Sequence, residues 1–201
     1  TNDIAPEFTS EATFNAAENQ TAIGTVTATD ADDADGTTNI VTFSVSGNEL
    51  AVTQDGILTF ISAPDYETKS SYTATVTASD GINATTQDIT VNVTNVNDIA
   101  PEFTSEATFS AAENQTAIGT VTATDAEDDA ITFTVSGSEL AITSAGVLTF
   151  TSEPDYETKA TYKATVTAND GINSTRKDIT VNVTNINDNP PELPFDSDNS
   201  S

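Results

Sequence analysis

Ser71-Tyr-Thr-Ala-Thr-Val-Thr-Ala-Ser-Asp-Gly-Ile-Asn-Ala-Thr-Thr-Gln-Asp-Ile-Thr-Val-Asn-Val-Thr94 is the stretch on which the fold turns. Tyr72, Ala74, Val76 and Ala78 alternate with Thr73, Thr75 and Thr77. Ile89, Val91 and Val93 alternate in the same way with Thr90, Asn92 and Thr94. Successive side chains of a strand point to opposite faces, so a period of two gives one apolar and one hydroxyl-bearing face. That is the pattern of half-buried antiparallel strands. Asp80-Gly81 between the two runs supplies a turn.

Working outward, the same period marks Val41, Phe43 and Val45, and turn residues recur at Ser46-Gly47 and Asp55-Gly56. No segment has helical periodicity. The pattern predicts about seven short strands per copy, near 6–17, 21–29, 40–46, 50–54, 57–61, 70–79 and 85–95. The whole unit then repeats. Asp3 to Phe14 recurs from Asp98, 95 residues on, and Asn19 to Asp30 recurs unchanged as Asn114 to Asp125. After a longer acidic loop in the first copy the offset falls to 90, with Asp65-Tyr66-Glu67 matching Asp155-Tyr156-Glu157. An insertion there costs little if the loop is exposed. The expected organisation is repeat 1 over 1–97 and repeat 2 over 98–187. Residues 188–201 read as the start of a further linker and a disordered tail.

Composition narrows the function. Five Lys and Arg stand against 32 Asp and Glu, a net charge of −27. Such a surface repels nucleic acid and anionic membranes. No apolar run approaches the ~20 residues of a membrane span, so direct membrane insertion is not expected. His and Cys are absent, which removes the usual zinc, copper and haem ligands and the commonest general base. The carboxylates therefore suggest either plain solubility or ligation of a hard cation.

Their positions favour ligation. Acidic residues gather at strand ends, with Glu18, Asp65 and Glu67 in the first copy and Asp125, Glu127 and Asp170 in the second. On an extended segment Asp65 and Glu67 would point the same way. Asn95-Val96-Asn97-Asp98-Ile99-Ala100-Pro101 joins the copies and offers amide, carboxylate and carbonyl oxygens. Calcium takes ~6–8 oxygens at ~2.3–2.6 Å. Two copies meeting end to end, with the linker between, would supply them jointly. The carboxylate pair Asp65 and Glu67 also fits a glycosidase, but its recurrence in each copy without an aromatic-rich groove argues against an enzyme. Tyr66 and Tyr156 read as packing residues rather than sugar platforms. Asn83-Ala84-Thr85 and Asn92-Val93-Thr94 match the glycosylation sequon, as chance provides in a chain rich in Asn and Thr.

In order along each copy, these motifs resemble the calcium signature of cadherin repeats. Ala17-Glu18-Asn19 is similar to the family's early glutamate, Asp65-Tyr66-Glu67 to its Asp-x-Glu, and Ala28-Thr29-Asp30-Ala31-Asp32 to its Ala-x-Asp-x-Asp. Ala78-Ser79-Asp80-Gly81 resembles the later Ala-x-Asp-Gly. Asn95 to Pro101 and Asn185 to Pro191 resemble the Asp-x-Asn-Asp-Asn-x-Pro linker. The resemblance implies an all-β fold of two tandem seven-stranded Greek-key β-sandwiches of immunoglobulin-like architecture. It also implies two or three calcium ions at the junction of the repeats. Glu18, Asp65, Glu67, Asn95, Asp98 and the Val96 carbonyl would serve the inner ions. Asn97, the Ile99 carbonyl, Asp125, Glu127 and Asp170 would serve the outer one. Partial sites would remain at the ends, from Asn2, Asp3, Asp30, Asp32 and Asp80, and from Glu113, Asp155, Glu157, Asn185, Asn187 and Asp188. Three departures stand out: Asn95 replaces the first linker Asp, Ile99 an Asn, and Glu127 an Asp.

The expected function is a calcium-stiffened extracellular repeat pair of a secreted or cell-surface protein. It would serve adhesion, partnered by neighbouring repeats of its own chain or by another cell-surface protein. The Thr-, Asn- and Asp-rich, cysteine-free style resembles bacterial adhesins. The alternative is a calcium-dependent polysaccharide-binding module.

Overall fold

In the computed structural model, which describes residues 4–32 and 40–189, the alternation seen in sequence becomes two β-units divided at Asn97 and Asp98. The first contains β1 (Glu7–Phe8), β2 (Thr13–Ala17), β3 (Ala22–Thr25), β4 (Ala28–Thr29), β5 (Thr42–Val45), β6 (Leu50–Val52), β7 (Ile57–Phe60), β8 (Ser71–Ser79) and β9 (Ala84–Thr94). The second repeats them as β10 (Glu102–Phe103), β11 (Thr108–Ala112), β12 (Ala117–Thr120), β13 (Ala123–Thr124), β14 (Thr132–Val135), β15 (Leu140–Ile142), β16 (Val147–Phe150), β17 (Thr161–Asn169) and β18 (Ser174–Thr184). Each of the seven segments expected from the sequence is present. Two are broken in mid-course, 6–17 into β1 and β2 and 21–29 into β3 and β4.

The break has a topological cause. Each unit packs a four-stranded sheet, β2-β9-β8-β5, against a three-stranded one, β3-β7-β6. β1 pairs antiparallel with β4, whereas β2 turns away and pairs in parallel with β9, Thr13 opposite Thr90 and Ala17 opposite Thr94. The chain must leave one partner to reach the other. The parallel ladder was not anticipated, because alternation fixes which face a residue takes and not its neighbouring strand. The long hairpin β8–β9 runs from Ser71 opposite Asn92 to Ser79 opposite Ala84. Unit two has the same order, β11-β18-β17-β14 over β12-β16-β15.

The inward residues of these strands build the core. Leu58, Val76 and Val91 are fully buried, as are Leu148, Val166 and Val181 at the matching places. Phe60 and Tyr72 meet edge to face at 5.1 Å, and Phe150 and Tyr162 at 5.0 Å. The Asp55-Gly56 turn is locked into this core. Gly56 has φ of +89°, and a Cβ there would overlap the Val26 carbonyl. The Val26 amide donates to the Gly56 carbonyl at 2.8 Å, so only glycine allows the approach. No helix among the described residues is long and apolar enough to cross a membrane.

Candidate metal centres at the poles of each unit

Each sandwich has two poles, and strand ends decide which carboxylates reach each one. At the pole where β2 and β9 finish, Glu18 follows the last residue of β2. Its amide donates to the Thr94 carbonyl. Asn19 then takes a left-handed φ of 61° and donates to the Pro64 carbonyl. Asparagine tolerates that conformation better than other non-glycine residues. The result turns Glu18 inward, where it is only 3% exposed. Its Oε2 accepts the Tyr66 amide at 2.7 Å, and its Oε1 accepts the Val96 amide at 2.7 Å. Unit two repeats the arrangement. Glu113 is 2% exposed and accepts from Tyr156 at 2.8 Å and Ile186 at 2.6 Å.

Glu18, Asp65 and Glu67 each bring a carboxylate oxygen within 4.8 Å of the other two, and Glu113, Asp155 and Glu157 do the same. The expected extended geometry of Asp65 to Glu67 is corrected here. The segment is a turn, with the Lys69 amide donating to the Asp65 carbonyl at 2.9 Å. It is the turn, together with the inward glutamate, that gathers the three. Thr68 Oγ1 donates to Asp65 Oδ2 at 2.9 Å, and Thr158 Oγ1 to Asp155 Oδ2 at 2.7 Å. These hydroxyls, with the Thr68 and Thr158 amides, hold both aspartates below their ordinary pKa of 3.8. Asn185 Nδ2 donates to Glu157 Oε1 at 2.9 Å, and Asn114 Nδ2 to Asp188 Oδ2 at 2.7 Å.

The opposite pole is built by loops after β4 and between β8 and β9. Asp30 Oδ1 accepts the Asp32 amide at 2.7 Å, and Asp32 Oδ2 accepts the Ile4 amide at 2.8 Å. Asp80 Oδ1 accepts from Ile82 at 2.7 Å and from Asn83 at 2.6 Å. Burial pulls Asp80 upward, but the Asn83 and Ile82 amides outweigh it and leave the carboxyl below 3.8. The Asp30 side chain lies beside it. In unit two Asp125 Oδ1 accepts from Glu127 at 2.9 Å and Asp129 at 3.2 Å, and Glu127 Oε1 accepts the Ile99 amide at 3.0 Å. Asp170 is 9% exposed and accepts from Ile172 and Asn173.

Asp125, Glu127 and Asp129 bring carboxylate oxygens within 4.8 Å of one another. Asp129 was not anticipated. The signal was its spacing of four from Asp125, closed by the left-handed Asp128 at φ of 62°. Asn2 and Asp3 lie outside the described residues, as do residues 190–201 of the expected tail and Asp33 and Asp35 of the acidic loop.

Whether these groups fit calcium is tested by one recurring atom. Asp30 Oδ2 and Asp125 Oδ2 are both buried with no hydrogen-bond donor. A buried carboxylate oxygen without a donor is costly, and a cation satisfies it. Like charges 4–5 Å apart repel by roughly 1 kcal/mol in water and about 4 kcal/mol at a partly screened surface. The donors are all oxygen, and the chain has no His or Cys, so the chemistry fits a hard cation.

Comparison with known proteins agrees with this architecture. Residues 12–94 match the family model of the Cadherin domain. The chain is 31% identical, over 96% of its length, to the mouse and human proteins named Cadherin EGF LAG seven-pass G-type receptor 2. It is 30% identical, over 85% of its length, to the Drosophila Protocadherin-like wing polarity protein stan. It spans 7% of the length of the receptors and 5% of the fly protein. In structure it resembles mouse Cadherin-23 EC22-24, with a TM-score of 0.77 at 22% identity over 92% of this chain and 68% of that one. It resembles human Protocadherin-24 EC1-2 equally, with a TM-score of 0.77 at 21% identity over 91% of this chain and 99% of that one. The chain is thus cadherin-like, two repeats of cadherin fold of which the first also matches the family's own Cadherin domain model.

Proposed function

We propose that this repeat pair is an extracellular, cell-surface adhesion module whose poles and linker take calcium, which stiffens the connection between repeats. The observation that carries the reading is the buried, donor-free Oδ2 of Asp125, matched by Asp30 Oδ2 in the other unit. Glu18, Asp65, Glu67, Asn95, Asp98 and the Val96 carbonyl would hold the inner ions. Asn97, the Ile99 carbonyl, Asp125, Glu127 and Asp170 would hold the outer one, with Asp129 added from the geometry. Asp30, Asp32 and Asp80 at one end, and Glu113, Asp155, Glu157, Asn185, Asn187 and Asp188 at the other, would serve partial sites completed by neighbouring repeats. When bound, calcium supplies charge neutralisation and a multi-oxygen tie between segments that otherwise repel.

The protein's own part is to hold the ligands ready. Glu18 fixes the linker's first residues through the Val96 amide and the ligand turn through Tyr66. Glu127 fixes the linker's exit through Ile99. The named relatives are animal proteins; the cysteine-free, Thr-rich composition supports placing the parent among bacterial surface adhesins. Tyr66 packs against the core of its unit, whereas Tyr156, also expected to pack, is 37% exposed and lies outside the core cluster of unit two; one exposed tyrosine is not the aromatic platform that the polysaccharide reading needs. Small-angle scattering in calcium and in EDTA tests the stiffening. The maximum dimension is expected to lengthen and sharpen in calcium, and an identical profile in both buffers would refute it.

A further inference from the structure

Two of the chain's five basic residues, Lys69 and Lys159, hold the same place in both copies. The other three stand in the second copy only, where the first has Thr73, Thr86 and Gln87. Each recurring lysine closes the turn that carries the candidate ligand carboxylates. The Lys69 amide donates to the Asp65 carbonyl at 2.9 Å, and the Lys159 amide to the Asp155 carbonyl at 2.8 Å. Within the turn, Thr68 donates to the Asp65 carboxylate and Tyr66 to that of Glu18. Those two holds use the very oxygens proposed for calcium.

The lysine side chain holds the turn without them. Lys69 Nζ pairs with Glu49, the residue before β6, and stands 4.3 Å from the centre of the Tyr72 ring on β8. Both supports are themselves fixed. The Glu49 carbonyl accepts the Ile61 amide at 2.9 Å, and Tyr72 meets Phe60 edge to face. β6 and β8 belong to different sheets, so one side chain ties the end of the turn to both layers of the sandwich. Unit two repeats the arrangement. Lys159 pairs with Glu139 and stands 4.5 Å from the Tyr162 ring centre, and the Glu139 carbonyl accepts the Thr151 amide at 3.0 Å.

We infer that Lys69 and Lys159 are positioning residues for calcium. Each pins the turn that presents Asp65 and Glu67, or Asp155 and Glu157, before the ion arrives. The inference rests on the calcium reading above. Carboxylates already held in place lose less freedom on binding, and the groups behind a metal's ligands tune its affinity. Charge alone predicts the opposite sign. An ammonium near a cation site opposes the ion, so its removal would tighten binding. Positioning and charge therefore separate in the direction of one measured change.

Calcium titration of the full chain, with amide hydrogen exchange in EDTA, tests the inference on wild type, Lys69→Met and Lys69→Arg. Lys69→Met keeps an apolar stem and loses the ion pair and the cation–π contact, whereas Lys69→Arg can make both. In Lys69→Met the affinity of the sites served by Asp65 and Glu67 should fall about fivefold, as one half-exposed ion pair and one cation–π contact are lost. In EDTA the Tyr66 and Thr68 amides should exchange faster, while Val76 and Val91 in the core keep their protection. Lys69→Arg should return both readings toward wild type. Calcium binding by Lys69→Met that is unchanged or tighter would overturn the inference, whatever happens to the melting temperature of unit one. So would unaltered exchange at the turn. A wild type that takes no calcium would overturn the calcium reading itself, and this inference with it.

Discussion

The Val96 amide donates to Glu18 Oε1 at 2.7 Å across 78 residues of chain. A carboxylate just past the end of an early strand thereby fixes the start of the linker. Unit two makes the same bond between Glu113 and Ile186 at 2.6 Å, so the clamp belongs to the repeat itself. Its partners are backbone amides, which remain whatever side chains the linker carries.

Glu18→Gln should therefore destabilise the protein even without calcium. The new amide group presents a donor to one of two amide donors, and a buried bond is lost. The expected cost is about 1–3 kcal/mol, or a fall in the melting temperature of unit one of several degrees. Calorimetry in EDTA checks it, and Glu113→Gln should act alike on unit two.

Asp125→Asn should behave oppositely. The side-chain oxygen still accepts from Glu127 and Asp129, while the donor-free Oδ2 loses its charge. Stability in EDTA is expected to hold or rise by up to about 1 kcal/mol, and one calcium site is expected to disappear. Paired denaturation curves with and without calcium show both effects.

How much of this was legible in the sequence depends on what each residue pattern encodes. Alternation at 70–79 and 85–95 reports burial directly, and β8 and β9 follow it to within a residue. It does not encode strand neighbours, so the parallel pairing of β2 with β9 was hidden. The grouping of Glu18, Asp65 and Glu67 was visible as a motif, but the turn at 65–68 was not, because it is held by Thr68 and a main-chain bond. The Glu18 clamp could not be read at all, since amide partners leave no side-chain signature.

Asn95→Asp should raise calcium affinity by roughly tenfold, about 1.4 kcal/mol, and lower stability in EDTA. In unit two the equivalent Asn185 donates to Glu157, a bond that an aspartate replaces with repulsion. Competition with a calcium indicator, alongside melting in EDTA, measures the two opposed effects.

Glycine substitutions separate two kinds of constraint. Gly56→Ala adds a Cβ against the Val26 carbonyl at φ of +89° and should cost more than about 2 kcal/mol. Gly81→Ala, at φ of +93° in open space, should cost about 1 kcal/mol. Urea denaturation ranks them, and equal costs would contradict the packing described for the Asp55-Gly56 turn.

In EDTA, acid should remove stability that Asp65, Asp80 and Asp155 supply. Their folded pKa values lie below 3.8, so the contribution is full above that pH and is lost as pH falls through the lower folded values. Thr158→Val removes the largest cause of the Asp155 shift and should return its titration toward 3.8. Carboxyl NMR titration follows it.

The central claim is that the poles and linker of this pair take calcium, and isothermal titration calorimetry tests it most directly. Calcium titrated into the decalcified chain should show saturable binding of two or three ions at the junction, beside weaker sites at the ends, with Asp98→Ala reducing the junction count. No saturable heat up to millimolar calcium, or an Asp98→Ala isotherm identical to the wild type, would contradict the account.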